Sequence, residues 1–213
     1  MKTFALFDFC ETLVTFQSIP EYLRLVGFEN PRFKHTSFQR RFFPRLYRYS
    51  KIPLFSYKFA RYEELKGFDT QRAKVLAAEY THDRLLPHVN PKVIQKLKFH
   101  QDRGDEIVIV SGGLEMYIKE FAKHFDIKHV IAVALEEKNN LLTGNIDGIH
   151  TMEHRKLYKL AQYFDLKNYD LPHSYAYSDC SSDIPLLSLV GNGVAIECGK
   201  DLQWAKILGY EIL

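Results

Sequence analysis

The sequence has few of the residues that mark secreted, fibrous or membrane-spanning proteins. Its 213 residues include only 3 cysteines, 3 methionines and 1 tryptophan. Three cysteines provide no disulfide framework, so we expect reduced thiols and a cytoplasmic protein. There is no heptad pattern or repeat, and no run of about 18 apolar residues that could form a membrane-spanning helix. The first residues, MKTFALFDFCETL, lack the cleavage site of a signal peptide.

What the sequence does contain is typical of a folded globular chain. Hydrophobic residues make up 46% and charged residues 26%, which is too apolar for a disordered protein. The length predicts one large domain, or a core with an inserted piece.

The charge is distributed unevenly along the chain. The formal net charge is +3, but residues 32–66 carry ten basic and two acidic residues, a local charge of +8. The rest of the chain is therefore at −5. The same window holds ten of the thirty aromatic residues. The chain therefore contains a segment that is both basic and aromatic, which is a candidate for a functional surface.

Short β-rich apolar runs alternate with helical patterns, which indicates a doubly wound α/β fold with a parallel sheet. The runs are residues 4–9, 106–110, 129–133, 175–177 and 194–196. Apolar residues at helical spacing cover residues 114–125, 156–164 and 184–190. Residues 139–148 predict a hairpin or loop, and residues 16–87 contain no good strand and predict a helical insertion.

Residues suited to phosphoryl transfer follow these strands. Ligands of open α/β sheets bind at the carboxyl ends of the strands, so the side chains found there are the candidates for function. The set comprises a carboxylate nucleophile, further acids for a divalent cation, a hydroxyl beside two glycines and a lysine, provided by Asp8, Ser111, Gly112, Gly113, Lys156, Asp179 and Asp183.

Four motifs in order resemble those of the haloacid dehalogenase-like hydrolases. They are FALFDFCETL, IVIVSGG, Lys156 and SDCSSDIPLL, and the phosphoserine-phosphatase-like branch is the most similar. The resemblance implies an α/β fold, a three-layer Rossmann-like core with a five-stranded parallel sheet and an inserted helical cap. It implies a core of residues 1–15 and 85–213 and a cap of residues 16–84.

The resemblance also implies a role for each matching residue. Asp8 would attack phosphorus and form an aspartyl-phosphate. Mg²⁺ would be bound by Asp8, the backbone carbonyl of Cys10 and Asp179, with Asp183 binding directly or through water. Ser111, Gly112 and Lys156 would hold the phosphoryl group. A phosphate beside several carboxylates needs such cations to offset their repulsion.

Cys10 stands where most phosphatases of this family have a second aspartate, which is the catalytic acid and base. A thiol forms weak hydrogen bonds and has an ordinary pKa near 8.5, so it performs both tasks poorly. Glu11 is predicted to point away if the strand continues. Our hypothesis is a slow enzyme, a leaving group that needs little protonation, or an acceptor other than water. Comparing alkyl with acyl or aryl phosphates tests it.

Gln17 stands where phosphoserine phosphatases have a glutamate for the substrate ammonium group. A neutral amide loses that charge pairing, so phosphoserine is not the expected substrate and Gln17 is the candidate contact on the cap side. Ser178, Cys180 and Ser182 also depart from the fourth motif. The expected substrate is another small anionic phosphorylated metabolite.

The basic segment leaves several interpretations open. One interpretation is that its arginine side chains cover the aromatic core of the cap with their apolar stems. Another is that it recognises a substrate with several anionic groups. Contact with an anionic membrane surface would suit a lipid-phosphate phosphatase. Nucleic-acid binding is not expected, because no recognition motif is present. A binding protein with weak catalysis is the alternative that Cys10 suggests.

Overall fold

One sheet dominates the computed structural model, which describes residues 1–30 and 62–213. Within these ranges the sheet has seven strands in the order β4-β3-β2-β1-β5-β6-β7. They are β1 Phe4–Phe7, β2 Glu106–Leu114, β3 His129–Lys138, β4 Leu141–Asp147, β5 Tyr175–Ser178, β6 Asn192–Ala195 and β7 Glu211–Ile212. The predicted α/β class is confirmed.

The sheet is wider than the five predicted strands, and it is not wholly parallel. Strand β4 pairs antiparallel with β3 through the predicted hairpin, and the short β7 extends the other edge in parallel with β6. Strand β1 ends at Phe7 rather than at residue 9. The chain turns there, and Glu11 adopts a left-handed backbone with φ of 56°.

The helices supply two layers, one on each face of the sheet. We number them α1 Ser18–Glu29, α2 Thr70–Tyr80, α3 Pro91–Arg103, α4 Glu115–Lys123, α5 Arg155–Tyr163, α6 Ile184–Leu187 and α7 Gln203–Ile207. Short 3₁₀ turns lie at Tyr62–Leu65, Leu86–His88, Leu166–Asn168, Leu171–His173 and Ser181–Asp183, and a π turn lies at Thr81–Leu85. None of the helices in the described ranges is long and apolar enough to cross a membrane.

Alternating side chains of β1 divide the core into two clusters. Phe7 belongs to the cluster beneath α1 to α4, whereas Phe4 and Leu6 belong to the cluster beneath α5 and α6. This period of two is expected for a strand that is buried on both faces. The result is a helix–sheet–helix sandwich with β1 at its centre.

The turn that leads into β2 is built from local signals. Asn90 caps α3 by accepting a hydrogen bond from the Lys92 backbone N–H, and Pro91 occupies the first turn. Gly104 ends the helix with a left-handed φ of 79°. Strand β2 therefore starts at a defined position beside β1, with Leu6 opposite Val108.

Helices α1 and α2 lie between β1 and β2 in the chain, within the predicted insertion. The Tyr22 hydroxyl donates to the Ala73 carbonyl at 2.7 Å, which joins the two helices, and both pack on the core cluster that contains Tyr117. The division at residues 16–84 stays a prediction. The basic segment at residues 32–66 lies almost wholly outside the described residues.

Candidate active site

The candidate residues meet at one edge of the sheet because neighbouring strands run parallel. Strands β2, β1 and β5 are adjacent, and their carboxyl ends bring together Ser111, Asp8 and Asp179. The Asp8 backbone N–H donates to the Tyr177 carbonyl at 2.9 Å, which fixes the start of the turn after β1.

Lys156 joins two of the buried carboxylates. Its Nζ lies 2.7 Å from Asp8 Oδ1 and 2.6 Å from Asp183 Oδ2, and all three residues are buried. Helix α5 starts at Arg155, so its first turn places this lysine at the strand edge. The Ser178 hydroxyl also donates to Asp183 Oδ2, at 2.6 Å. Lys156 is therefore an ion-pair partner of Asp8 and Asp183 at once.

The charges of this cluster shift the pKa values of its members. Burial raises the pKa of Asp8 to about 7, with Asp183 and Asp179 adding to the effect while Lys156 opposes it. Burial acts to lower the pKa of Lys156, but the carboxylates of Asp8 and Asp183 outweigh it and raise that pKa above its usual value. Lys156 stays charged, and its single positive charge is shared between two carboxyl groups, those of Asp8 and Asp183.

Ser111 and its glycines lie in the last part of β2, where the pairing with β3 shifts register between Val110 and Leu114, and they line the cleft with Asp8. The Gly113 backbone N–H donates to Ser111 Oγ at 3.0 Å. An added Cβ at Gly112 would lie 2.8 Å from Met152 Cγ and 3.3 Å from the Thr151 carbonyl oxygen. The glycine lets the segment before α5 approach this part of β2 closely, so both segments border the same cleft.

The Cys10 side chain takes part in a chain of hydrogen bonds that begins at Ser18, the first residue of α1. Its Sγ lies 3.0 Å from Ser18 Oγ, which lies 2.8 Å from the Tyr117 hydroxyl, and that hydroxyl accepts from the Leu114 backbone N–H at 3.1 Å. Burial, followed by the charge of Asp8, raises the pKa of the Cys10 thiol to about 11. The thiol is therefore neutral near pH 7.

Lys200 is a site residue that the sequence analysis missed. Its Nζ contacts Asp179 Oδ2 and Glu11 Oε2, both at 2.5 Å, and its carbon chain leads out to solvent. It follows β6 by five residues, and residues that follow the strands of an open α/β sheet are candidates for the functional site. Its position in the sequence is therefore a signal for this role.

Gln17 and Glu11 stand beside this lysine. The Gln17 amide donates to Glu11 Oε2, so the amide and the Lys200 ammonium share one carboxylate oxygen. The expectation that Glu11 points away assumed a continuing strand, and it does not hold because β1 ends at Phe7. Burial acts to raise the pKa of Glu11, but its bonds with Lys200 and Gln17 lower it overall.

Asp179 is held from three sides. Thr12 Oγ1 donates to its Oδ1 at 3.3 Å, Lys200 contacts its Oδ2, and Cys198 Sγ lies 3.8 Å from the same oxygen. Thr12 is fully buried. The threonine of the first motif therefore fixes a carboxylate of the fourth motif.

The predicted site residues line one cleft. All of the predicted side chains line it together, namely Asp8, Cys10, Gln17, Ser111, Gly112, Lys156, Asp179 and Asp183. Gly113 of the second motif and Cys180 and Ser182 of the fourth motif line it as well, and so do residues outside the motifs, namely Ile19, Tyr62, His150, Met152, Glu153 and Lys200. One of these, His150, is a histidine that no sequence motif points to.

The donor set suits a hard divalent cation. Asp8, Asp179 and Asp183 are buried oxygen donors, and together with Glu11 they carry four negative charges against the two of the contacting lysines. Within residues 1–30 and 62–213, no three His, Cys, Asp or Glu side chains converge on a metal position. Mg²⁺ needs only one or two carboxylates when phosphate and water complete its shell, so the residues fit it.

The cleft can bind and attack a phosphoryl group. Asp8 offers a carboxylate oxygen, Lys156 a fixed cation, and Ser111 a hydroxyl beside glycine N–H groups. A phosphate placed among them gains charge-assisted hydrogen bonds in a largely buried setting.

Comparison with protein families agrees with this chemistry. A model of the haloacid dehalogenase-like hydrolases matches residues 5–188. The whole chain is similar to the histidinol-phosphatase of Neisseria meningitidis serogroup C. The two are 27% identical over 221 residues, which cover 100% of this chain and 99% of the relative.

Solved structures share the fold over almost the whole chain. A protein of unknown function from Bordetella pertussis Tohama I superposes with a TM-score of 0.85 at 21% identity, covering 100% of this chain and 99% of that one. A phospho-aspartyl intermediate analogue of phosphoserine phosphatase superposes with a TM-score of 0.67 at 22% identity, covering 99% and 92%. These likenesses establish the fold.

Proposed function

Because the chain belongs to the haloacid dehalogenase-like hydrolase family and is a phosphatase of that family, we propose that it hydrolyses a small phosphate monoester through an aspartyl-phosphate on Asp8. The observation that carries the proposal is the buried Asp8 carboxylate at the end of β1, 2.7 Å from Lys156 Nζ and in one cleft with Ser111. A nucleophile, a fixed cation and a hydroxyl donor are there side by side.

Each residue has one task in the proposed reaction. One Asp8 oxygen attacks phosphorus while the bond from phosphorus to the leaving oxygen breaks. Lys156, Ser111 and the Gly112 N–H hold the phosphoryl oxygens, and Lys156 also limits repulsion between the substrate and Asp183. Water then attacks the aspartyl-phosphate, which releases inorganic phosphate and restores the Asp8 carboxylate.

Mg²⁺ is the proposed cofactor. Asp8, the Cys10 carbonyl, Asp179 and Asp183 would hold it, the last directly or through water. When bound, it would neutralise negative charge on the phosphate and the carboxylates. Support comes from the cluster of carboxyl groups in the cleft, since burial and then the charges of Asp183 and Asp179 raise the pKa of Asp8 although Lys156 opposes them.

The proposed substrate is a small phosphorylated metabolite other than phosphoserine. Gln17 is a neutral amide, and its neighbour Glu11 is already paired with Lys200, so neither offers a spare negative charge to a substrate ammonium group. The Neisseria relative is named for a different amine, histidinol phosphate, which therefore belongs in any substrate panel.

The test is phosphate release from a panel of monoesters, with Mg²⁺ and with a chelator. The panel includes sugar phosphates, histidinol phosphate, phosphoserine and a phospholipid. We expect turnover that depends on Mg²⁺, and Asp8→Asn should lower kcat/KM by about a thousand-fold or more because the nucleophile is lost. The exposed Asp102→Asn in α3 is the matched control and should behave as the wild type.

Binding without turnover is the outcome that would contradict this proposal. It would instead support a binding protein with weak catalysis, the alternative suggested by the neutral Cys10 thiol that is directed at Ser18. The membrane interpretation depends on the basic segment outside the described residues, and the phospholipid member of the panel tests it.

A further inference from the structure

The proposed reaction needs a proton donor and, later, a proton acceptor. An alkoxide leaving group must be protonated as it departs, and the water that attacks the aspartyl-phosphate must lose a proton. A positioned acid or base contributes about 10²–10⁴-fold to such steps. The structure therefore has to provide a group at the cleft with a proton to exchange.

The acidic side chains next to the nucleophile are all engaged elsewhere. Cys10 Sγ is directed at Ser18 Oγ. Glu11 shares an ion pair with Lys200. Asp183 is held by Lys156 and Ser178, and both donate to its Oδ2. With these contacts in place, neither Cys10 nor Glu11 of the first motif takes over the proton transfer of the aspartate that Cys10 replaces.

His150 lies on the wall of the same cleft as Asp8 and Ser111. It belongs to the segment between β4 and α5, which approaches Gly112 so closely that an added Cβ there would lie 2.8 Å from Met152 Cγ. The neighbouring Thr151 is fully buried, and its hydroxyl donates to the Ala132 carbonyl at 3.0 Å. The backbone that follows His150 is thereby held in place.

The imidazole stands where the insertion meets the core. Its Nε2 lies 3.5 Å from the hydroxyl of Tyr62, in the 3₁₀ turn that returns from the insertion, and the ring centroids are 6.1 Å apart. Tyr62 is buried and also lines the cleft. Asp8, Lys156 and Tyr62 line the same cleft as His150, so a substrate bound at Asp8 would share that cleft with the imidazole.

We propose that His150 is the acid and base of this phosphatase, in place of the aspartate that Cys10 replaces. This inference rests on the proposed function. Imidazolium gives its proton to the leaving oxygen as the bond from phosphorus to that oxygen breaks, which yields the alcohol and neutral imidazole. Imidazole then takes a proton from the attacking water as the bond from phosphorus to Asp8 breaks. Histidine exchanges protons near neutral pH more readily than other side chains do.

Other titratable groups face the same cleft and would influence this exchange. They come from the turn after β1, the insertion, the segment before α5, and the ends of β5 and β6, and in the described part of the chain they are Asp8, Cys10, Tyr62, Glu153, Lys156, Asp179, Cys180, Asp183 and Lys200. Because many groups contribute to the pH dependence of the rate, the dependence of the rate on the leaving group tests proton donation more selectively.

The experiment compares an alkyl phosphate with p-nitrophenyl phosphate in the full-length enzyme with Mg²⁺. A nitrophenolate departs without a proton, whereas an alkoxide needs one. In His150→Gln we expect kcat/KM for the alkyl phosphate to fall by about 10²-fold or more, and for p-nitrophenyl phosphate by about five-fold or less. The exposed His154→Gln is the matched control from the same segment.

The outcomes separate this inference from the proposed function. Equal losses on both substrates in His150→Gln, or no loss on either, would overturn the role of His150 while an inactive Asp8→Asn still supports the nucleophile. Turnover that survives in Asp8→Asn would overturn both. Should His150→Gln unfold, judged by its Tm, His150→Asn replaces it in the same comparison.

Discussion

At the scale of single residues, two lysines divide the carboxylates of the cleft between them. Lys156 is buried and contacts Asp8 and Asp183, whereas Lys200 reaches Asp179 from a more exposed position. Burial acts to lower the pKa of Lys200, but its contacts with Asp179 and Glu11 raise it. Both lysines are charged, but only Lys200 has room to leave its partner.

Lys200→Met is predicted to strengthen Mg²⁺ binding. The ammonium contacts the Asp179 carboxylate, which the proposed cation would also use, so the two positive charges would compete and repel each other. Thr12 still holds Asp179 in the variant. We expect the Kd for Mg²⁺ to fall about ten-fold, which corresponds to about 1.4 kcal/mol, measured by isothermal titration calorimetry without substrate.

The exposed Lys206→Met is the matched control, because it removes the same charge from α7, whose residues do not line the cleft. Its Mg²⁺ affinity should match that of the wild type. Weaker binding in Lys200→Met would contradict the prediction, since it would mean that Lys200 holds Asp179 in place for the cation.

At the scale of elements, the strands with continuous apolar runs could be predicted because both of their faces are buried. The runs at residues 106–110 and 129–133 fall inside β2 and β3. The edges of the sheet could not be predicted in the same way. Strand β7 has two exposed residues and depends on its pairing with β6, which no local pattern reveals.

The connection between α6 and β6 shows a close backbone approach. The Gly191 N–H donates to the Leu171 carbonyl at 2.9 Å, and a Cβ at this glycine would lie 1.9 Å from the Pro172 carbonyl oxygen. The obstacle is backbone of the 3₁₀ turn Leu171–His173, which cannot rotate away as a side chain can. Only glycine fits here without movement of one segment.

Gly191→Ala is predicted to destabilise the fold by about 2 kcal/mol, the usual cost of forcing extra volume into a packed contact. Urea unfolding measures it. Gly104→Ala is the comparison, since a Cβ there meets nothing within 4 Å and only its φ of 79° is strained, at about 1 kcal/mol. A smaller loss at Gly191 than at Gly104 would show that the turn moves easily.

At the scale of the whole molecule, the catalytic edge could be predicted because the motifs end parallel strands that the fold places side by side. No motif contains Lys200 or His150. Lys200 follows β6 and could have been predicted from that position, whereas only the packed structure brings His150 to the cleft. The orientation of Cys10 was equally hidden, because it depends on Ser18 in α1. Contacts between elements distant in the chain set these positions.

A second buried polar network ties the molecule together near the amino ends of the strands. His100 is fully buried in α3, and its ring nitrogens lie 2.6 Å from Asp105 Oδ2 and 2.7 Å from the Tyr177 hydroxyl. Thr3 and Arg103 also donate to Asp105. The network joins α3, the turn before β2 and strand β5.

This network predicts that the contribution of His100 to stability is lost as the pH falls from about 7 to 5, whereas Asp8, whose pKa is raised, acts in the opposite direction over the same range. Burial lowers the pKa of His100 below its ordinary 6.5, although Asp105 opposes the shift. The unfolded chain therefore binds a proton at a pH where the folded protein does not, and the stabilisation present above pH 6.5 is lost on acidification. One such proton changes the free energy of unfolding by at most about 1.4 kcal/mol per pH unit.

Urea unfolding at a series of pH values checks this prediction. His100→Gln should be less stable at pH 7 and should show a shallower decline of stability between pH 7 and 5, because the titrating group is gone. The exposed His124→Gln keeps the buried ring and should retain the wild-type slope. An unchanged slope in His100→Gln would mean that His100 takes up no proton on unfolding, and the acid sensitivity between pH 7 and 5 would then belong to other groups. Asp105 is not among them, because its lowered pKa places its titration below that range.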